Sequence, residues 1–349
     1  MNAHSSATDQ ELEVLSVVCI WDGTPRSADF FALNKILFHL VARCCEASCQ
    51  KKSLIKIMNK NEGVLKYPVL CFHVERHKTS SSQNIQVFPH KTSPLMCLYF
   101  SLAYKLVLDN GEDDHLFPEY AKKLGSDDSN KIDSKTAAFF NEYYKYISSC
   151  SKKYQQEVLL GEDEKNEYDM SALADSRTSH SLGKKAGVNA LAEDGSLQFH
   201  QMVFRCGWAT KNLHTAFDYI FNSTNKDTVC GKILGQWTKL SNGKITGGCP
   251  PNANDVVTNM EMMNKFVSNL FRHQKYLANT EVKRILLGSI LLWEDKIHEI
   301  IADDPSKQYK KIEDHPFVGM IELRKQEIGK SFECLFIINI FLLSIPFFT

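Results

Sequence analysis

The sequence predicts a mainly α-helical fold with one small antiparallel β-sheet, an α+β arrangement. Three observations lead there. Apolar residues recur at helical spacing over most of the 349-residue chain. β-type runs concentrate in residues 69–88, where two of them flank a polar turn. Hydrophobic residues make up 43% and charged residues 23% of the chain, which excludes wholesale disorder and collagen-like structure.

The elements follow in order. Residues 10–22 mix acidic and apolar residues and run into VLSVVCIWD, a buried stretch. Residues 27–45 carry apolar side chains at Phe30, Phe31, Leu33, Ile36, Leu37, Leu40 and Val41, a helical period with Ser27 and Asp29 suited to its start. VLCFHVER (69–76) and NIQVF (84–88) flank HKTSSSQ and read as a hairpin that Pro89 closes. Residues 94–108 begin with Pro in a first-turn position and read as a helix. DNGEDD at 109–114 is a loop, and within the polar stretch 120–175 only TAAFFNEYYKYI (136–147) has helical character. Residues 181–193, 197–206 and 212–222 read as three short helices. GGCPPN at 247–252 breaks the chain, and 255–302 reads as two further helices.

The charge balance, 41 basic against 41 acidic side chains, conceals an uneven distribution. Residues 1–110 carry 12 basic and 9 acidic side chains (net +3), residues 111–199 carry 11 and 17 (net −6), and residues 200–349 carry 18 and 15 (net +3). An acidic middle between mildly basic ends suits an inserted acidic segment in a domain that meets a polyanion. Of the 11 cysteines, Cys44, Cys45 and Cys49 cluster, but no C-x-x-C pair exists, so a zinc site is not expected and the thiols read as free. Residues 332–349, FECLFIINIFLLSIPFFT, are almost wholly apolar. They read as a membrane anchor, a buried terminal element or an end foreign to the rest of the chain.

Phosphate-loop, dinucleotide-binding and HExxH patterns are absent. What remains is a scattered set: Arg26, Lys78, His180 with Lys184 and Lys185, Arg205, Trp208 and Tyr219. Each is ordinary alone. Their order is not. In WDGTPRSADFFAL (21–33), ERHKTSSSQNIQVFP (75–89), SHSLGKKAG (179–187) and FRCGWATKNLHTAFDYIF (204–221) the chain resembles the catalytic domain of tyrosine recombinases, the phage-integrase family. It is most similar in kind to the divergent eukaryotic branch found in Crypton-type mobile elements and protist genomes.

The resemblance implies a tyrosine-recombinase-like catalytic domain and a set of roles. Arg26 corresponds to the first phosphate-binding arginine and Asp29 to the acidic residue that supports it. Lys78 is the hairpin general acid, His180 opens the His-x-x-Arg block, Trp208 follows its Gly, and Tyr219 is the nucleophile. Arg205, Lys184 and Lys185 are supporting cations. A tyrosine hydroxyl that attacks a phosphodiester needs cations on the non-bridging oxygens and a proton donor for the leaving oxygen, so no cofactor or metal is expected. The family's second arginine falls where this chain has Gly183. Lys184 or Lys185 can supply charge there, but not a bidentate fork, and an arginine restored at 183 is expected to raise activity.

Residues 1–250 are expected to form the recombinase-like domain with an acidic insertion at about 111–175, followed by a helical extension (251–330) and the apolar tail (331–349). Only 25 residues precede Arg26, short of the family's separate DNA-clamping domain. DNA is the expected partner, with a homo-oligomer assembling on it, and the expected location is the nucleus. A membrane enters only if the tail is an anchor. The alternative reading is a catalytically degenerate, domesticated DNA-binding remnant of a mobile element.

Overall fold

In the computed structural model the described residues are 6–62, 65–76, 81–120, 129–160, 168–174, 176–194, 197–208, 225–237 and 260–328. They form a mainly helical fold with one three-stranded antiparallel sheet. The helices are α1 (Asp9–Asp22), α2 (Pro25–His39), α3 (Cys44–Ser48), α4 (Leu98–Leu108), α5 (Ser129–Leu160), α6 (Ala186–Glu193), α7 (Phe199–Cys206), α8 (Asn225–Leu234), α9 (Met260–Leu270), α10 (Thr280–Ala302) and α11 (Pro316–Ile328). The strands are β1 (Lys56–Glu62), β2 (Leu65–Arg76) and β3 (Ser81–Val87). A π-helical turn, His180–Lys185, leads into α6.

The sheet has the order β1-β2-β3. Leu70 of the central strand pairs with Ile57 on one side and Val87 on the other. The hairpin of β2 and β3 is the predicted one. β1, with the polar pattern KIMNKNE, offers almost no apolar alternation and escapes a reading by period. The sheet is pinned to the helices by Tyr99, whose hydroxyl donates to the Val87 carbonyl (2.7 Å) and accepts from the Leu70 amide (2.8 Å).

α1 is buried on nearly every side, which explains why its sequence shows little amphipathic period. Thr8 caps it by accepting from the Glu11 amide (3.1 Å). The Trp21 indole donates to the Ile300 carbonyl (2.6 Å), and an imidazole nitrogen of His315 lies 2.7 Å from the Ile20 carbonyl oxygen. Residues of α9, α10 and α11 thereby share one core with α1, α2 and α4. α5 extends the predicted 136–147 helix to 32 residues. It buries an aromatic face of Phe139, Phe140, Tyr143, Tyr144 and Tyr154 while its other face carries the charges that give the segment a polar composition. The expected helix at 212–222, the break at 247–252 and the apolar tail lie outside the described residues. Among the described residues no helix is long and apolar enough to cross a membrane.

Candidate nucleic-acid site at the C-terminal end of α2

The two ends of α2 carry different chemistry. At its N-terminal end Arg26 is the second helical residue, behind the Thr24 cap. Its guanidinium pairs with Glu142 (3.0 Å) and lies over the rings of Tyr146 (4.6 Å) and Tyr143 (5.3 Å), all three on α5. Asp29, one turn on, pairs with Lys105 of α4 and accepts from the Tyr143 hydroxyl (3.5 Å). Burial raises the Asp29 pKa, and the Lys105 charge opposes that rise.

The opposite end of α2 is built by close backbone packing. A Cβ on Gly183 would sit 2.4 Å from the Leu37 Cβ and about 3.1 Å from the Leu37 carbonyl carbon. Gly183 is therefore a contact glycine that lets the π-turn lie directly on α2. An arginine cannot stand there without parting the two elements, so the expectation that Arg at 183 restores a clamp is corrected. The nearest arginine before it, Arg177, is buried and forms a bidentate pair with Glu11 (2.7 and 2.6 Å).

The π-turn carries His180, Lys184 and Lys185. A π-turn widens the helix locally and recurs at functional sites. Lys184 is buried and donates to the Cys206 carbonyl (2.8 Å), which ties the turn to the end of α7. There Gly207 adopts a left-handed conformation (φ 61°), and the chain turns to present Trp208, 41% exposed. Gln83 of β3 donates to the Phe204 carbonyl (2.9 Å) in the same turn of α7. Gln83 stands two residues from the Arg76–Ser81 pair, the last described pair of the hairpin. Lys78 and Tyr219 lie outside the described residues.

One further cation belongs to this corner. Arg43 precedes α3, and its amide donates to the buried Glu46 carboxylate (2.9 Å). Partial burial, together with the positive charges of Lys184, Lys185 and Arg43, pushes the His180 pKa below its ordinary value. Arg26 stands 11 residues before Leu37, the residue under Gly183, which is about 16 Å along the helix. The structure places His180, Lys184 and Lys185 on one turn, and Lys184 ties that turn to the end of α7, just before Trp208; Arg26 and Asp29 are engaged with α5 and α4 instead. Arg43-x-x-Glu46 repeats the Arg-x-x-acid spacing of Arg26 and Asp29 and stands directly ahead of the sheet. That repeat is the sequence signal that could have found it.

Arg205 has a different task from the supporting cation the sequence implied. It is fully buried. Its Nη1 donates to both Asp227 carboxylate oxygens (2.7 Å each) and to the Gln86 carbonyl (2.8 Å), and its Nη2 donates to the His39 carbonyl. A cation on the last carbonyl of α2 also meets the negative end of the helix dipole. Arg205 pins the end of α2 to β3 and α8 and so fixes the segment that carries Arg43.

No protein-family model matches the chain, and no curated protein matches it. Among solved structures it is similar to one titled "FLP Recombinase-Holliday Junction Complex I", with a TM-score of 0.45 and 14% sequence identity over 82% of this chain. This chain spans 65% of the length of that one.

Proposed function

We propose that the chain is a DNA-binding protein of the tyrosine-recombinase type, which cuts and rejoins strands through a phosphotyrosine. One observation supports the reading above the rest. The π-turn that carries His180, Lys184 and Lys185 is tied to the end of α7, just before the exposed Trp208, and Gln83 of the β2–β3 hairpin bonds the same turn of α7. Cations, an imidazole and an exposed indole in one place suit a phosphodiester.

In this reading Arg43 takes the phosphate-binding role first given to Arg26. The phenolic oxygen of Tyr219 forms a bond to phosphorus, and the bond from phosphorus to the 5′-oxygen breaks. The departing oxygen receives a proton from Lys78. His180, whose pKa burial and neighbouring cations lower, takes the phenolic proton. Rejoining reverses these steps on a new strand. Origin in a Crypton-type element, assembly as a homo-oligomer on DNA and residence in the nucleus belong to the same proposal.

Gly183 favours a second reading, a DNA-binding remnant without cleavage. A missing fork donor costs about 3 kcal/mol of transition-state stabilisation, and the packing on Leu37 bars its return. Incubation with a nicked suicide duplex decides between them. A covalent adduct, lost in Tyr219→Phe, supports the recombinase. Salt-sensitive binding without an adduct supports the remnant. No binding at low salt overturns both.

A further inference from the structure

α6 starts at the basic π-turn and ends, eight residues on, at a pocket of about 530 Å³ with the opposite electrostatic character. The volume lies within the range of about 300–1,000 Å³ typical of ligand pockets. Asp9 at the start of α1 and Glu193 and Asp194 at the end of α6 place three carboxylates on its lining. Phe38, Met96 and Ile233 supply an apolar floor.

His90 distinguishes this pocket from a chance patch of acid. It lines the pocket and is only 3% exposed. Its Nδ1 accepts from the Ser93 amide (3.0 Å), which places the ring proton on Nε2. Among the described residues no hydrogen bond is made at Nε2, the atom is not fully enclosed, and His90 lines the pocket. Burial and the nearby Lys35 charge push the His90 pKa down to about 4, so the ring is neutral. An N–H that is open to the pocket can be met by a ligand that brings an acceptor.

The pocket therefore asks for three things: an acceptor at depth, an apolar body, and a positive charge at the mouth. Phosphate is repelled by the three carboxylates. Among the described residues no group of three His, Cys, Asp or Glu side chains is arranged to hold a metal ion. We propose that the pocket binds a short basic-apolar peptide of a partner protein. An aliphatic side chain seats on the floor, its backbone carbonyl accepts from His90 Nε2, and a flanking Lys or Arg meets Asp9 and Glu193. α6 separates the pocket from the π-turn by about 12 Å, so peptide and DNA can be held at once. The inference stands apart from the DNA reading.

The test uses the full chain and a fluorescein-labelled peptide Gly-Leu-Lys-Lys-Gly, followed by fluorescence anisotropy. Saturable binding is expected, weakened about tenfold in the Asp9→Asn, Glu193→Lys double variant, both positions being exposed. His90→Phe, which keeps the ring and removes the N–H, should weaken it as well. The surface variant guards against a folding failure of the buried one. Equal binding of Gly-Leu-Glu-Glu-Gly, no saturation at about 1 mM, or binding untouched by the double variant would each overturn the proposal. So would a double variant that changes duplex affinity and leaves the peptide unaffected, since the pocket would then belong to the nucleic acid.

Discussion

One arginine stands in the first turn of α2 and another, Arg43, four residues past its end, and the two ends of the helix differ in what holds them in place. At the N-terminal end Arg26 makes a solvent-exposed pair with Glu142 and stacks on two tyrosines of one neighbouring helix. At the C-terminal end the last carbonyl of α2 is taken by the buried Arg205, which also grips β3 and α8, and the π-turn lies against the helix backbone at Gly183. Arg43 follows from that pinned end. A guanidinium meant for a phosphate needs a rigid base and an open head. The C-terminal end supplies the base, while the Arg26 head is spent on Glu142.

The largest expected effect tests the pinning. Arg205→Met leaves Asp227 buried and unpaired and should cost about 3–5 kcal/mol in urea unfolding. Arg26→Met at the other end removes an exposed pair and should cost about 1 kcal/mol or less. Equal losses at the two ends would erase the distinction.

Gly183 is the next point of leverage. Gly183→Ala gains helix propensity yet should destabilise by about 1–3 kcal/mol, because its methyl meets Leu37. Gly183→Arg should be worse and should not raise covalent adduct formation. A stable Gly183→Arg protein with more adduct than wild type would restore the reading of this position as a lost clamp.

The comparison also has a binding form. Duplex affinity falls with salt because phosphate contacts release counterions. Arg43→Ala should lower the slope of log affinity against log salt by about one and weaken binding for unrelated sequences alike. Arg26→Ala should leave both quantities at wild-type values. The reverse pattern in a filter-binding titration would return the phosphate role to Arg26.

Much of this architecture was legible because its residues follow simple periods. The hairpin of β2 and β3 and the helix before Trp208 follow turn chemistry and apolar spacing, whereas the single helix expected over 27–45 ends at His39 and gives way to a turn before the separate α3. β1 was not legible, since its partner is chosen by β2 and not by its own polar pattern. Most of α5 was hidden by charge on its outer face. The π-turn with His180, Lys184 and Lys185 falls within one sequence block, whereas Arg43-x-x-Glu46 has the same spacing as Arg26 and Asp29 and so does not stand out. Arg205 reads from sequence as a supporting cation of the site, because sequence does not show that Asp227 comes to meet it.

The smallest expected effect is the sharpest test of the corner itself. Burial and the charges of Lys184, Lys185 and Arg43 lower the His180 pKa, so in free protein the ring takes up its proton less readily than an ordinary histidine. A phosphate beside it favours the charged form and raises that pKa in the complex. Linkage then requires affinity to rise as pH falls through the bound-state pKa, by about two- to fivefold for one exposed pair. His180→Gln should remove that part of the pH dependence and leave affinity at pH 8 nearly unchanged. Arg43→Ala removes one of the repelling charges, so the rise should begin at higher pH than in wild type. Arg26→Ala should not move it. If wild type and His180→Gln share one pH profile, the imidazole lies outside the DNA contact. If Arg26→Ala moves the profile and Arg43→Ala does not, the two ends of α2 have been assigned the wrong way round.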